Sequence, residues 1–193
     1  MPVTLERPVP AADGGSRPAE AKPLPEDQPS LYYDDIVTWS EGQAAALRAL
    51  AERPELSNAL DWENVVDEIE SVARSEFQRV ESALELVLSH LLKYLSAPSS
   101  NPKRGWESEV ATFQVIARRS YRRSMQQRID WDDVWAMSMR MAQRDLARFG
   151  DQLVRGLPET MPFAPEKLVS RDFSMDAALA HLADMLAKLD QQD

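Results

Sequence analysis

The stretch from Leu60 to Pro98, LDWENVVDEIESVARSEFQRVESALELVLSHLLKYLSAP, holds no glycine and no proline before Pro98 itself. A segment that long without either helix breaker, with apolar residues recurring at three- and four-residue spacing, is confined to one long amphipathic helix. Asp61 is placed to cap it, because its carboxylate can accept from the free amides of the first turn. Glu63, Asp67 and Glu68 add negative charge near the positive end of the helix dipole. The predicted helix covers residues 61–97, and SAPSSNPKRG after it reads as a loop.

The flanking pattern is helical almost throughout. A first helix is expected over Tyr32 to Ala51, with Ile36, Trp39, Leu47 and Leu50 on one face and a stop near Pro54. A third runs from about Trp106 to Gln127 on Val110, Phe113, Ala117 and Tyr121. A fourth begins after the cap Asp130, carries its stripe from Trp131 to Leu153, and ends before Gly156 and Pro158. LPETMPFAPEKLVS then folds back over the bundle with a short turn at Glu166 to Val169. An amphipathic helix over Ser174 to Asp190 closes the chain, and no strand pair or internal repeat stands out. The expected fold is all-α: a bundle of about four principal helices around the long one, plus a C-terminal helix.

Composition sets the boundaries. Residues 1–30 hold seven of the thirteen prolines and few large apolar side chains, so they read as a disordered arm that cannot repay the entropy of ordering. Residues 31–170 form the expected bundle domain, and 171–193 the C-terminal extension. The absence of cysteine excludes disulfides and thiolate metal sites. No apolar run approaches the roughly 20 residues needed to span a bilayer, and no leader is evident. The expected location is the cytoplasm, with no membrane partner. A net charge of −10 argues against a general nucleic-acid binder.

DWENVVDEIESVARSE, followed by HLLKY and then a tryptophan opening the next helix, resembles the bacterial domain-of-unknown-function family twenty-nine. YYDDIVTWSEGQAAALR is similar to that family's opening, and LPETMPFAPEKLVS to its closing segment. The resemblance covers about Leu31 to Ser170 and implies a bacterial all-α bundle with no assigned activity. Where the family often shows an arginine two turns after the tryptophan of the third helix, this chain has Gln114.

Candidate chemistry is sparse. On a helical wheel Glu76 falls among Ile69, Val72 and Val80, so it should face the core and need a partner. Glu70 and His90 sit at the edges of that arc. Glu63, Asp67 and Glu70 are spaced like metal ligands on successive turns, with Asp132 and Asp133 as ligands from a second helix. Glu76 and His90 lie about 21 Å apart along the axis at 1.5 Å per residue, too far to share one ion. Residues 103–128 carry seven Lys or Arg against two Glu, whereas 61–70 carry five acids and no base. An antiparallel hairpin of these two helices would bring Arg118 near Glu85, Arg122 near Glu81 and Arg128 near Glu76. Arg118, Arg119, Arg122 and Arg123 form the candidate basic surface.

No nucleophile–base pair, phosphate loop, zinc motif or cofactor fingerprint is present in the sequence, so no cofactor is expected. The leading expectation is a protein-interaction or regulatory module, leaning away from an enzyme, with a protein partner or second copy engaged through the C-terminal helix. The alternatives are a metal-dependent enzyme on the carboxylates of the long helix, or a nucleic-acid or toxin-associated accessory protein using the arginines.

Overall fold

The computed structural model describes residues 31–55, 60–98 and 103–189. The proline-rich arm over 1–30 lies outside the described residues. Among those described, every regular element is helical: α1 (Leu31–Asp34), α2 (Ile36–Ala51), α3 (Trp62–Ser96), α4 (Lys103–Ser120), α5 (Trp131–Ala147), α6 (Pro165–Leu168) and α7 (Met175–Leu189).

The long helix forms as its sequence dictates. Asp61 caps α3, its carboxylate accepting from Asn64 N at 3.4 Å and from the Asn64 side-chain amide at 2.6 Å. At the other end Ala97 is extended, the backbone that a following proline imposes. The helix is about 52 Å long at 1.5 Å per residue. Its first half is buried along a stripe, at Val66, Ala73 and Val80, whereas Val87 through Lys93 are buried without interruption. A helix buried on all sides is one surrounded by other elements.

Helices α2 and α4 run antiparallel to α3, and α5 runs parallel to it. Arg48 of α2 meets Glu70 at 2.5 Å, while Glu41, two turns earlier, reaches Arg128 beside Phe77. On α4, Glu109 faces His90 and Trp106 faces Lys93. On α5, Asp133 lies near Glu81 and Asp145 lies against Lys93. Helix α7 lays Ala178 and Leu182 into the same core that holds Trp135, Phe163 and Leu168.

Four boundaries differ from the sequence reading: α4 opens at Lys103, inside the expected loop and ahead of Trp106, and three others differ for a local reason. The first helix is broken at Asp35, whose carboxylate accepts from Thr38 N at 3.1 Å and restarts the chain as α2. The third ends at Ser120, short of Gln127. Arg122 turns its guanidinium back on the last turn, donating from Nη1 to the Arg119 and Tyr121 carbonyls at 2.7 and 3.0 Å. That covers acceptors a helix end leaves open, and a 3-10 turn over Arg123–Met125 follows. The fourth ends at Ala147 and not near Leu153. Gly150 adopts φ +79° and Asp151 N returns to Leu146 O at 3.1 Å, a left-handed cap that glycine adopts without strain. Phe149, expected in the apolar stripe, is 81% exposed at that turn.

Candidate functional site

Two of the carboxylates of early α3 are spent on arginines. Glu70 pairs with Arg48, and Asp67 pairs with Arg74 at 3.0 Å. With Glu63 they line a groove of about 640 Å³ between the start of α3 and the end of α2. Among the described residues no group of three His, Asp or Glu is arranged to hold a metal ion.

Glu76 does have a partner, Arg79 at 2.8 Å, and its side chain is 16% exposed. The partner sits on the same helix, so Glu76 does not join α3 to a neighbour. Arg128, expected beside it, instead pairs with Glu41 at 2.5 Å and covers the Phe77 ring at 4.5 Å. The other expected cross-pairs are also replaced. Arg122 caps α4, Arg118 is half-buried, and Arg119 and Arg123 are exposed. No ion pair among the described residues joins Arg118 or Arg122 to a glutamate of α3.

Glu81 and Glu85 face the acidic start of α5 instead. Burial raises both pKa values, and Asp133 adds like-charge repulsion to each. A carboxyl raised in the folded state holds its proton more tightly than in the unfolded chain. Ionising it therefore costs stability as pH climbs above the ordinary glutamate value of about 4.3. Glu81→Gln is expected to raise unfolding stability at pH 7 by less than about 1 kcal/mol, given solvent screening. The gain should vanish below pH ~4, where Glu81 is neutral in either state. Urea titrations at the two pH values check it.

Buried charge gathers at the other end of α3. His90 and Lys93 are both buried. The His90 ring stacks on Phe113 at 6.0 Å. Its Nδ1 lies 2.6 Å from Leu86 O and its Nε2 lies 2.5 Å from Glu109 Oε2. A neutral imidazole donates from one nitrogen only, so both contacts are complete only with a second proton on the Nε2–Oε2 line. Burial opposes that proton and holds the imidazole below its ordinary pKa. The Lys93 charge adds to this, while the Leu86 carbonyl, Glu109 and Asp145 pull the other way. Lys93 Nζ meets Asp145 Oδ2 at 3.3 Å and lies 5.5 Å from the centre of the Trp106 ring. The network thus sets one carboxylate from α4 and one from α5 against two basic groups of α3. Chemically it can hold three helices in one register and hold a proton between two of them.

The segment expected to fold back over the bundle does so, with its turn at α6, but the contacts that hold it were not legible in the sequence. Between α5 and α7 the chain runs as a strap whose main chain is bonded largely by side chains of the helices. Gln143 Oε1 accepts from Leu153 N at 3.1 Å, and Ser96 Oγ accepts from Val154 N at 3.1 Å. Trp135 Nε1 donates to Pro158 O at 2.8 Å, and Asp132 Oδ1 accepts from Met161 N at 2.8 Å. Gln114 Nε2 donates to Leu168 O and Ser170 O at 3.2 and 2.7 Å. Gln114 therefore anchors the strap at the position where the chain departs from the family pattern. Strap, α6 and the start of α7 enclose a groove of about 510 Å³ that includes Phe163, Lys167, Phe173 and His181.

Comparison with curated proteins found no match. Among solved structures the chain is similar to an α-helical protein of unknown function from Rhodospirillum rubrum. The identity is 28%, the TM-score 0.73, and the alignment covers 80% of this chain and 99% of that one. None of the described helices is long and apolar enough to cross a membrane. The model of the family described as domain of unknown function DUF29 matches residues 31–174, and with its long α3, flanking helices and closing strap this chain belongs to that family.

Proposed function

We propose that the chain is a protein-interaction or regulatory module whose contact surface is the aromatic edge that opens the bundle. The observation carrying this is the exposure of Leu31, Tyr32 and Tyr33, with Tyr33 79% exposed. Tyr32 stands edge-on to Tyr33 at 5.1 Å and to Trp39 at 4.8 Å. Aromatic side chains held in a fixed arrangement lose little entropy on binding, and they dominate interface hot spots at about 2 kcal/mol or more each. The C-terminal helix is less available for this role, because Ala178 and Leu182 of its apolar face are already buried.

The test is a nuclease-treated pulldown with the full chain and with a Tyr32→Ser, Tyr33→Ser double variant. A partner recovered by the first and lost by the second, with melting temperature unchanged, is the expected result. Equal recovery by both chains would sink the assignment. A partner lost on nuclease treatment alone would point to the exposed Arg119 and Arg123.

A further inference from the structure

The strap is bound the way a groove binds an extended peptide, through its main chain and a few anchoring side chains. Over residues 157–163 three side chains do this. Trp135 holds the Pro158 carbonyl, Asp132 holds the Met161 amide, and His181 Nε2 holds the Pro162 carbonyl at 3.0 Å. Leu157 packs against the core, and buried Phe163 meets the Trp135 ring edge-on at 6.4 Å. The strap residues that carry this pattern are Leu157-Pro158-Glu159-Thr160-Met161-Pro162. The same Leu-Pro-Glu-x-x-Pro pattern recurs at Leu24-Pro25-Glu26-Asp27-Gln28-Pro29. What recurs is the ligand half of the contact.

We propose that the seat formed by Asp132, Trp135 and His181 is a docking surface for Leu-Pro-Glu-x-x-Pro segments, and that its partner is residues 24–29 of a second copy of this chain. Each group the seat uses has its counterpart there. Pro25 offers the carbonyl for Trp135, Gln28 the amide for Asp132, Pro29 the carbonyl for His181, and Leu24 the apolar side chain. In the strap, a leucine before proline favours extended backbone and proline fixes the next φ, and residues 24–29 carry the same Leu-Pro order. One anchor differs: Ser30 stands where the strap has Phe163. The strap is also tethered, which raises its local concentration. The strap therefore holds the seat in the resting chain, and the second copy's segment binds when the Phe163 anchor is lost. This surface is separate from the α1 edge, so the Tyr32/Tyr33 variant leaves it intact.

Phe163→Ala removes the strap's advantage. Sedimentation of that variant across rising concentration should show a dimer at least about tenfold more populated than in the wild type near 1 mM. Replacing residues 24–29 with a Gly-Ser run in the same variant should abolish it. A Phe163→Ala chain that stays monomeric, or a dimer that survives the replacement, overturns the proposal. Should Phe163→Ala fail to fold, the milder Phe163→Leu, which weakens the same anchor and keeps an apolar side chain, is titrated with a synthetic peptide of residues 21–30 while the Trp135 indole N–H resonance is followed. A saturable shift, absent with Leu24→Gly, Pro25→Gly peptide, supports the docking. No shift up to about 5 mM, beyond the millimolar range of a tethered ligand, overturns it.

Discussion

Trp135→Ala is expected to lower unfolding stability by about 3–5 kcal/mol, the range for deleting a buried aromatic side chain. Trp135 is wholly buried, so the loss combines transfer free energy with the cavity left between α3, α5 and the strap. It also forfeits the bond to Pro158 O, leaving that carbonyl to find water. At this chain length the drop corresponds to a melting shift on the order of 10 °C. Trp135→Phe separates the two contributions, since it keeps most of the ring and removes only the N–H. Its expected cost is about 1–3 kcal/mol for an unpaired carbonyl. Hydrogen exchange should then quicken at the strap amides of Met161, Leu153 and Val154 before the core of α3 changes, because local opening precedes global unfolding. A loss below about 1 kcal/mol for Trp135→Ala would show that the strap and bundle are not joined through this residue.

The long helix was legible because its signals are local: a capping aspartate, an unbroken apolar period and a closing proline all act within a few residues of the backbone they govern. The early ends of α4 and α5 were not, because each depends on one residue reaching backward. Arg122 donates to carbonyls of the turn before it, and Gly150 takes a left-handed φ that frees the chain from the helix. Apolar periodicity continued past both positions and carried the reading too far. The family resemblance rested on the α3 motif and gave the fold its label correctly.

Side-chain partners were harder to read than elements. The wheel placed Glu76 near the core and the hairpin register pointed to Arg128 across the bundle, but the partner is Arg79, one turn away on the same helix. Pairing α3 with α4 by loop position put Arg122 opposite Glu81. In the structure Arg122 is consumed as a cap, and Glu81 answers to α5. His90 stood out as a rare residue type. Lys93 did not, since a helix lysine is ordinarily solvated, and the Trp106 and Asp145 that meet it come from other helices. The strap's contacts were hidden for a related reason: main-chain groups carry no sequence signature, so only the side chains that bind them could be seen. Of those residues, Gln114 stood out only as a departure from the family pattern and Asp132 only as a candidate metal ligand, while Gln143 carried no signal at all.

Asp145→Ala should be the most damaging change to charge in this chain, costing about 3 kcal/mol at neutral pH. Breaking a buried pair by removing one partner leaves the other charge uncompensated, and that penalty is larger than the pair's own net value. Lys93 is the charge left behind, 7% exposed, with the Trp106 face as its remaining favourable contact. Asp145 itself is 27% exposed and also lies 3.6 and 3.9 Å from Arg144 and Arg148, which places the cost toward the lower part of the 3–5 kcal/mol range for buried pairs. Lys93→Met removes the charge and keeps the apolar stem, so it should cost no more than about 1 kcal/mol. In the Lys93→Met background Asp145→Ala should then cost only about 1 kcal/mol, a coupling of about 2 kcal/mol in a double-mutant cycle by urea unfolding. Additive losses would mean that Lys93 is hydrated in solution and that the pair does not fix α5 against α3. Strong coupling with a mild Lys93→Met would make this network a device for register more than for stability, in keeping with the uninterrupted burial of α3 around it.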